Sequence, residues 1–369
     1  QPGQHLLLGD GTDSAHPVAD IVPVFAVRRA HLHDLVDRHR DGGAPVGWGD
    51  AGHTACGRCE ACEPEVSSHR DLLLVAGMRT TQRARLIAAG VTTVDDLVAR
   101  EDTVPGVAAR TYASLRAQAL AQLEQERTGT AYVEVFAPGN LGALPKPDAG
   151  DIFFDFEGDP LWCTAGSTDW GLEYLFGVVE GTAQDPVFRP LWAHDRAQER
   201  RAFVEFLDYV TERRRQYPNM HVYHYAAYEK SALLRLAGRH GVGEDIVDDL
   251  LRANVLVDLY PVVRASLRIG APSYSIKKLE PLYTDTRDGD VTDAAASVVA
   301  YADYCDRRDA GDHETAARML AGIADYNRDD CISTLLLRDW LLARAGEHGV
   351  ATTDPRPLTE DEVSEPDPV

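Results

Sequence analysis

The spacing of hydrophobic and polar positions changes partway along the chain. From about residue 131 onward, short apolar segments of strand length alternate with longer segments of helical periodicity. Strands that alternate with crossover helices predict an α/β sheet, whose ligands bind at the carboxyl ends of its strands. The predicted strands are 152–156, 173–179, 186–192, 221–225 and 255–259, and the predicted helices are 197–216, 228–239 and 312–345.

The first 130 residues follow a different pattern. Residues 1–55 contain short apolar pieces, one amphipathic stretch and a Gly-rich loop, which is too little for an independent core. Residues 69–127 have helical periodicity, and Thr92 or Thr93 is a plausible N-cap because acidic residues follow it. The last residues, 346–369, are rich in Pro, Glu and Asp, which is typical of a disordered linker or tail.

The strand that begins at residue 152 carries two carboxylates one residue apart. Successive side chains of a strand point to opposite faces, so Asp155 and Glu157 share one face and Phe154 and Phe156 the other. The preceding Ile-Phe-Phe and the following Gly-Asp-Pro indicate a core strand that opens onto a turn. An acidic pair in a strand is often only solubilising charge, but at this position it can hold a divalent metal ion.

Further carboxylates lie in two later segments. Glu229 falls in the first turn of a helix that follows an apolar strand, where it can face the same edge as Asp155 or simply favour the helix dipole. Tyr326 and Asp330 are four residues apart, so they lie on one face of a helix, where such a pair is also a common surface hydrogen bond. Asp258 ends another strand, where a structural or substrate-facing role is more common than that of a metal ligand.

Together, these segments resemble a known family. An Asp-x-Glu strand, an acid that opens a later helix and a late Tyr-x-x-x-Asp are similar to the three motifs of the ribonuclease H-like 3′–5′ exonucleases of the DEDD class, in the variant with Tyr. The sequences of these segments look more specifically like those of RecB-like nucleases with a C-terminal ribonuclease H-like domain. The segments are Phe-Asp-Phe-Glu-Gly-Asp-Pro, Tyr-His-Tyr-Ala-Ala-Tyr-Glu, Ser-Tyr-Ser-Ile-Lys-Lys-Leu and Tyr-Asn-Arg-Asp-Asp-Cys. Those proteins are often followed by a superfamily 1 helicase.

The resemblance implies a role for each matching position. Two Mg²⁺ or Mn²⁺ ions would be held by carboxylates, and Tyr326 would orient the attacking water. Glu229 stands where the second motif usually has Asp, and His224 stands where it often has Asn. The implied metal ligands are Asp155, Glu157, Asp330 and Glu229.

Substrate contacts are expected from residues beside these motifs. Two of them, His224 and Tyr228, belong to the segment of the second motif. Lys277 and Lys278 follow Ser-Tyr-Ser and are expected to contact the phosphate backbone, although two adjacent lysines are also common on a solvated face.

Three of the six cysteines form the segment Cys56-x-x-Cys59-x-x-Cys62. Thiolates at this spacing can clamp one metal, but a tetrahedral site needs a fourth ligand. The fourth ligand is either His53, which would complete a zinc site, or a Cys upstream of this sequence. The resemblance favours the second option, because the RecB-like family binds an iron–sulfur cluster through one early Cys and three late ones. Reduced thiols without a metal are the remaining alternative. The other three cysteines are scattered, so we expect a reducing cytoplasm rather than a disulfide framework.

The resemblance also implies a division of the chain. An excerpt of a longer polypeptide is expected, because the N-terminus carries neither an initiator Met nor a signal-peptide pattern. Gly90 and Gly106 are expected either in hairpins that offer backbone N–H groups to phosphates or only as helix C-caps. The expected parts are the end of a RecB-like PD-(D/E)xK domain at 1–65, a helix–hairpin–helix region at 66–128, a mixed-sheet ribonuclease H-like exonuclease domain with flanking helices at 129–345, and the tail at 346–369.

The formal charge of −22 limits how the chain can hold nucleic acid. Nonspecific binding rests on Lys and Arg, so local basic patches must do it. The sequence has no apolar run long enough for a membrane span and no Gly-Lys-Ser/Thr phosphate loop. The leading hypothesis is a two-metal nuclease acting on single-stranded DNA or RNA ends. The alternatives are a noncatalytic nucleic-acid-binding or scaffolding module and, last, a phosphoester enzyme for small molecules.

Overall fold

A computed structural model describes residues 3–7, 13–43, 46–50, 56–57, 59–164, 166, 169–284 and 294–352. The N-terminal part contains an antiparallel pair of strands, β1 (Gly3–Leu7) and β2 (Asp13–Pro17), followed by helix α1 (Val18–Arg40). None of the residues of α1 is buried, although the helix carries several large apolar side chains. This helix therefore contributes nothing to the cores described below.

Residues 62–128 fold into a small helical unit. It consists of α2 (Cys62–Ser68), α3 (Thr80–Ala88), α4 (Val94–Ala99) and the longer α5 (Ala109–Thr128), with a 3₁₀ turn at Leu72–Leu74. Its core is formed by apolar side chains from each of these segments except α2, among them Leu72, Leu86, Leu97, Tyr112 and Leu115. The unit thus has its own hydrophobic core, as the helical periodicity of this region predicts.

Two turns of this unit can be compared with the predicted caps. The N-cap of α4 is Thr93, whose hydroxyl accepts a hydrogen bond from the N–H of Asp96 at 3.0 Å, while the Asp96 carboxylate accepts from the N–H of Thr93. At the first predicted hairpin, the N–H groups of Gly90 and Val91 donate to carbonyls at the end of α3. This turn therefore has the bonding of a helix C-cap.

The remaining residues form an α/β unit built on a five-stranded sheet. Its strands are β4 (Ile152–Asp159), β5 (Leu172–Thr182), β6 (Asp185–Trp192), β7 (Val222–His224) and β8 (Leu256–Asp258), in the spatial order β6-β5-β4-β7-β8. The sheet is mixed, because β5 is antiparallel to β4 and β6 while β7 is parallel to both β4 and β8. A small second sheet pairs β3 (Val133–Val135) with β9 (Leu267–Ile269).

Helices cover both faces of the large sheet. They are α6 (Arg196–Gln216), α7 (Tyr228–His240), α8 (Glu244–Arg252), α9 (Leu259–Ser266), α10 (Ile276–Leu279), α11 (Ala294–Asp309) and α12 (His313–Glu347), with 3₁₀ turns at Pro138–Ala143 and Glu280–Leu282. The predicted α/β class and ribonuclease H-like mixed sheet are confirmed. All eight predicted strands and helices of this region are present, with ends that differ by at most three residues.

The alternation along β4 separates two cores. Phe154 and Phe156 pack with Phe206 of α6 and the apolar residues of α7 on one face. Phe153 packs on the opposite face with Tyr223 and residues of α9 and α12. Asp155 and Glu157 have the same parity as Phe153, so they point toward α12, as the period of two predicts.

Helix α12 lies unusually close to the centre of the sheet. A Cβ atom at Gly177 of β5 would be 1.5 Å from Oδ1 of Asn327, so only glycine fits under the helix at this point. Farther along α12, the buried Arg338 donates to Asp151 at 2.8 Å, and this carboxylate also accepts the N–H of His221 at 2.9 Å. Both contacts fix the position of α12 relative to the large sheet.

None of the described helices combines the length and the apolar character that crossing a bilayer requires.

Candidate active site

Three carboxylates from two elements meet on the α12 side of the sheet. Asp155 and Glu157 come from β4, and Asp330 comes from α12. One carboxylate oxygen of each residue lies within 4.8 Å of the others. Glu157 is buried, and the other two are half-buried. The structure thus brings together three of the four acids that the sequence assigns to one metal site.

The fourth acid, Glu229, lies beside this cluster, and its carboxyl group hydrogen-bonds to that of Asp155. Glu229 is buried in the first turn of α7. On its far side, Nδ1 of His224 lies 3.3 Å from Oε2 of Glu229. The His224 side chain is fully buried, so in this structure it contacts the acid rather than the open cleft where a substrate contact was expected.

A strained turn between β7 and α7 sets the position of Glu229. Ala226 has a φ of +71°, a left-handed conformation that is unfavourable for a residue with a side chain. Its carbonyl accepts from His224 at 2.8 Å, and its N–H donates to Asp258 at 2.8 Å. Asp258 also caps α9 by accepting the N–H of Tyr260 at 2.9 Å. Asp258 therefore links the turn at Ala226 to the start of α9.

Burial makes the site costly to ionise fully. The pKa of Asp155 is raised well above its usual value, first by burial and then by the charges of Asp330, Glu157 and Glu229. Burial likewise raises the pKa of Glu157 to about 8 and the pKa of Glu229 above its usual range. Lys277 and hydrogen bonds to Ser297 and Asn327 act in the opposite direction on Glu157. A divalent cation held by these oxygens would favour their ionised forms.

Two residues of the site were missed from the sequence. Asn327 donates from Nδ2 to Oδ2 of Asp155 at 2.8 Å and also hydrogen-bonds to Glu157. Ser297 of α11 hydrogen-bonds to Glu157, and its hydroxyl lies 2.7 Å from that of Tyr174. Asn327 is three residues before Asp330, so helical spacing gave a usable signal for it. A serine in an Ala-rich helix gives none.

Tyr326 and Lys277 meet at the same cluster. The ammonium group of Lys277 donates to the hydroxyl of Tyr326 and lies 4.1 Å from the centre of its ring. Tyr326 is one helical turn before Asp330 and is mostly buried. Lys278 lies elsewhere, in a surface depression with Gln125, Tyr132 and Leu282. Of the two adjacent lysines, only Lys277 reaches the acidic cluster.

An open cleft of about 710 Å³ leads to the carboxylates. Its apolar wall includes Tyr225, Tyr228 and residues of α11, and its floor includes Asp155, Glu157 and Glu229. Tyr228 is about half exposed, and its hydroxyl donates to Glu173 at 3.0 Å. The cleft therefore combines aromatic surface with acidic groups, a combination that suits a base and a metal-coordinated phosphate.

The three cysteines near the N-terminus form a second candidate metal site. The sulfur atoms of Cys56, Cys59 and Cys62 lie within 4.8 Å of one another, and those of Cys56 and Cys62 are 3.6 Å apart. Cys56 and Cys59 are exposed. Three thiols suit a soft metal and supply three of the four ligands of a tetrahedral site. His53, the candidate fourth ligand, lies outside the described residues.

The comparisons agree with this architecture. No curated protein and no solved structure matches the chain significantly. A model of the RNase H superfamily matches residues 152–342, from the first residue of β4 to near the end of α12. A domain of this superfamily indicates nuclease-type hydrolysis of nucleic acid, and nucleases of this fold use divalent metal ions. Because the match covers more than half of the chain and includes the whole acidic cluster, the protein belongs to the RNase H superfamily.

Proposed function

We propose that the chain is a two-metal 3′–5′ exonuclease of the DEDD class that removes nucleotides from the ends of single-stranded DNA or RNA. The observation that supports this most directly is the convergence of Asp155, Glu157 and Asp330 within 4.8 Å, next to an open cleft that Asp155 and Glu157 line. The superfamily match supports a nuclease, and the polarity and the strand preference belong to the proposal.

The metal ligands in this proposal are the four acids of the site. Their hard oxygen atoms and their number suit Mg²⁺ or Mn²⁺. The pKa values of Asp155, Glu157 and Glu229 are raised mainly by burial, so added positive charge would favour ionisation of these three acids. When bound, a pair of such ions supplies Lewis-acid stabilisation of the attacking and leaving oxygens and lowers the pKa of the attacking water. The assigned ligands are Asp155, Glu157, Asp330 and Glu229.

The other residues of the site position these groups and the substrate. The Tyr326 hydroxyl, held by Lys277, orients the attacking water. Asn327 fixes the rotamer of Asp155 through its 2.8 Å hydrogen bond. Tyr228 and Tyr225 line the cleft and offer ring surface to the terminal base. His224 positions Glu229 from behind instead of contacting the substrate.

End-labelled substrates test this activity and its polarity. The purified chain is incubated with single strands labelled at the 3′ or the 5′ end, in Mn²⁺ and in EDTA. The proposal predicts early release of a labelled mononucleotide from the 3′ end and a ladder of shortened 5′-labelled products. Asp330→Asn is expected to stop the reaction. The matched variant Asp329→Asn changes a neighbouring residue that pairs with Arg328, and it is expected to cleave like wild type. Equal cleavage by both variants would remove this site from the mechanism.

A noncatalytic nucleic-acid-binding or scaffolding module is the second candidate. It is favoured by Glu229, which replaces the usual Asp of the second motif and forms a carboxyl–carboxyl hydrogen bond with Asp155. Such a module predicts no Mn²⁺ binding that depends on these acids. Calorimetric titration of Mn²⁺ into wild type and Asp155→Asn separates the two candidates without an activity assay.

The cysteine cluster and the rest of the polypeptide complete the proposal. Cys56, Cys59 and Cys62 would hold either Zn²⁺, with His53 as a fourth ligand, or a [4Fe-4S] cluster with a cysteine outside this sequence. The resemblance to RecB-like nucleases favours the cluster and a helicase in the same polypeptide or complex. Metal analysis and the visible absorbance of anaerobically purified protein distinguish zinc from iron–sulfur.

A further inference from the structure

A basic groove lies between the helical unit and the α/β unit. Its volume is about 400 Å³, and it is lined from both sides, by α3 and α5 on one and by α9 and β9 on the other. Four arginines line it, and none of its lining residues is acidic. This composition is unusual in a chain with 59 acidic and 37 basic residues. The arginines are Arg79, Arg110, Arg264 and Arg268.

Two of these arginines are available for an anionic ligand. Arg79 and Arg110 are exposed, and neither forms an ion pair with any residue in the described part of the chain. The other two are already engaged. Arg264 stacks on Tyr274 with its guanidinium 4.2 Å from the ring centre, and Arg268 pairs with Glu134. The groove thus offers a fixed basic floor and two side chains that can turn toward a ligand.

The groove also carries neutral hydrogen-bond donors and an aromatic ring. Thr111, Ser114 and Gln82 line it beside the arginines. Phe136 lies at its edge and is 44% exposed, with the Arg268 guanidinium 4.8 Å from the ring centre. Arginines that face phosphates, next to an exposed ring that can stack on a base, are the two elements of single-strand binding sites.

The groove is connected to the catalytic cleft through one short segment. Tyr274 lines the groove, and its carbonyl accepts a hydrogen bond from Tyr225, which lines the cleft. Three residues later, Lys277 contacts Tyr326 at the acidic cluster. Three residues span at most about 11 Å, so this segment links the lining of the groove to the acidic cluster directly.

We propose that this groove binds the phosphate backbone of a nucleic-acid strand whose end occupies the catalytic cleft. The inference rests on the proposed nuclease function for the direction of the strand, but binding in the groove can be measured without catalysis. The groove supplies the local basic patch that a chain with a net charge of −22 needs in order to hold a polyanion.

Binding in EDTA tests the groove separately from cleavage. Fluorescence anisotropy with a labelled oligothymidylate of about 20 nucleotides is measured over a range of salt concentrations. Arg79→Ala/Arg110→Ala is expected to weaken binding about tenfold at low salt and to reduce the slope of log K against log salt by about 1.4, since each phosphate contact on a single strand contributes about 0.7. The matched control is Arg200→Ala/Arg201→Ala on the exposed surface of α6, which is expected to bind like wild type.

A second variant distinguishes a nucleic acid from any other polyanion. Phe136→Leu keeps an apolar side chain but removes the stacking surface. It is expected to weaken binding of the oligothymidylate several-fold and to leave binding of inorganic polyphosphate unchanged. Equal losses for both ligands would identify the groove as a general anion site and overturn its assignment to nucleic acid.

The outcomes separate this inference from the proposed nuclease. A groove variant with wild-type affinity and salt slope overturns the groove, as does a wild-type chain that binds no oligonucleotide in EDTA. If binding depends on the groove but no strand is cleaved in Mn²⁺, the nuclease proposal fails and the groove stands. If both hold, the groove variant raises the KM for long strands and leaves the KM for a dinucleotide unchanged.

Discussion

Buried and half-buried carboxylates lie on both faces of the large sheet, and they are neutralised differently on the two faces. On the α6 face, the fully buried Glu199 accepts from Arg196 at 2.9 Å and from Arg239 at 3.2 Å, and Nε2 of His240 lies 2.9 Å away. It also accepts the N–H of Glu173 at 2.8 Å. We call this the Glu199 cluster, and its charge is balanced within the protein.

On the α12 face, four acids share far less positive charge. The site cluster is defined as Asp155, Glu157, Glu229 and Asp330. The ammonium group of Lys277 lowers the pKa of Glu157, His224 lies beside Glu229, and neutral Asn327 and Ser297 supply hydrogen bonds to Glu157. The comparison teaches that burial of acids alone is not diagnostic of function. An acid surrounded by arginines stabilises the fold, whereas acids gathered without such partners suit a cation from solution.

The largest expected difference between the two clusters is the effect of their substitution on nuclease activity. Asp155→Asn removes one oxygen ligand from the centre of the site cluster and is expected to lower kcat/KM at least about 10³-fold, equivalent to about 4 kcal/mol. Without metal, the variant should be as stable as wild type or more stable, because it relieves repulsion between buried acids. The matched control is Asp159→Asn on the same strand, where Asn can still accept the N–H of Leu161. Comparable losses in the two variants would contradict the assignment.

Neutralising the Glu199 cluster is expected to lower the stability of the fold and to leave nuclease activity unchanged. Glu199→Gln removes the buried charge that pairs with Arg196 and Arg239 and leaves them only the half-exposed carboxylate of Asp169, so it should lower the free energy of unfolding by about 3 kcal/mol. Urea denaturation measures this change, and nuclease activity per folded molecule should remain at the wild-type level. A Glu199→Gln protein that is fully stable but inactive would reverse the distinction between the two clusters.

Metal binding should stabilise the protein through the site cluster alone. At a Mn²⁺ concentration of about 100 times Kd, the free energy of unfolding is expected to rise by about 2.7 kcal/mol in wild type. The gain should disappear in Asp155→Asn/Asp330→Asn and persist in Glu199→Gln. Thermal unfolding at several Mn²⁺ concentrations tests this, and a gain in the double variant equal to that of wild type would place the ion elsewhere.

Stability should also depend on pH in a direction that the site cluster sets. Glu157 has a pKa of about 8 in the folded protein against 4.5 for an unperturbed Glu, so the folded state holds this proton more tightly than the unfolded state. In EDTA, stability is therefore present at low pH and falls as the pH rises from about 4.5 to about 8, by up to about 1.4 kcal/mol per pH unit.

Glu157→Gln is the control for this pH dependence. The variant cannot ionise at this position, so its stability should fall less steeply between pH 6 and pH 8 than that of wild type. Urea denaturation at the two pH values measures both proteins. If the variant loses as much stability as wild type, another group is responsible for the slope.

Much of the site is predictable because its signals are local. The period of two puts Asp155 and Glu157 on one face of β4, and the spacing of four puts Tyr326 and Asp330 on one face of α12. Both inferences use neighbouring residues and hold whatever the rest of the chain does. The α/β class follows similarly from the alternation of strand-length and helical segments, whereas the mixed sheet was expected only from the resemblance.

Contacts between distant segments were not predictable. The ion pair between Arg338 and Asp151 joins residues 187 positions apart, and Ser297 reaches Glu157 from a different helix. His224 occupies a plausible substrate position in the sequence, yet the left-handed turn at Ala226 directs it toward Glu229. Such outcomes depend on how elements pack, which one sequence does not encode in a local pattern.

The two adjacent lysines provide the smallest and most specific test of the site cluster. No sequence pattern separates Lys277 from Lys278, but the structure puts only the first against Tyr326 and near Glu157. Lys277→Met keeps the length of the side chain, removes its charge and should lower kcat/KM about tenfold, the loss of one charge-assisted hydrogen bond of about 1.4 kcal/mol. Lys278→Met should retain wild-type kinetics, because Lys278 lines a separate depression with Gln125 and Tyr132. Equal losses in both variants would mean that the lysines act through general attraction of the polyanion, and the specific support of Tyr326 by Lys277 would have to be abandoned.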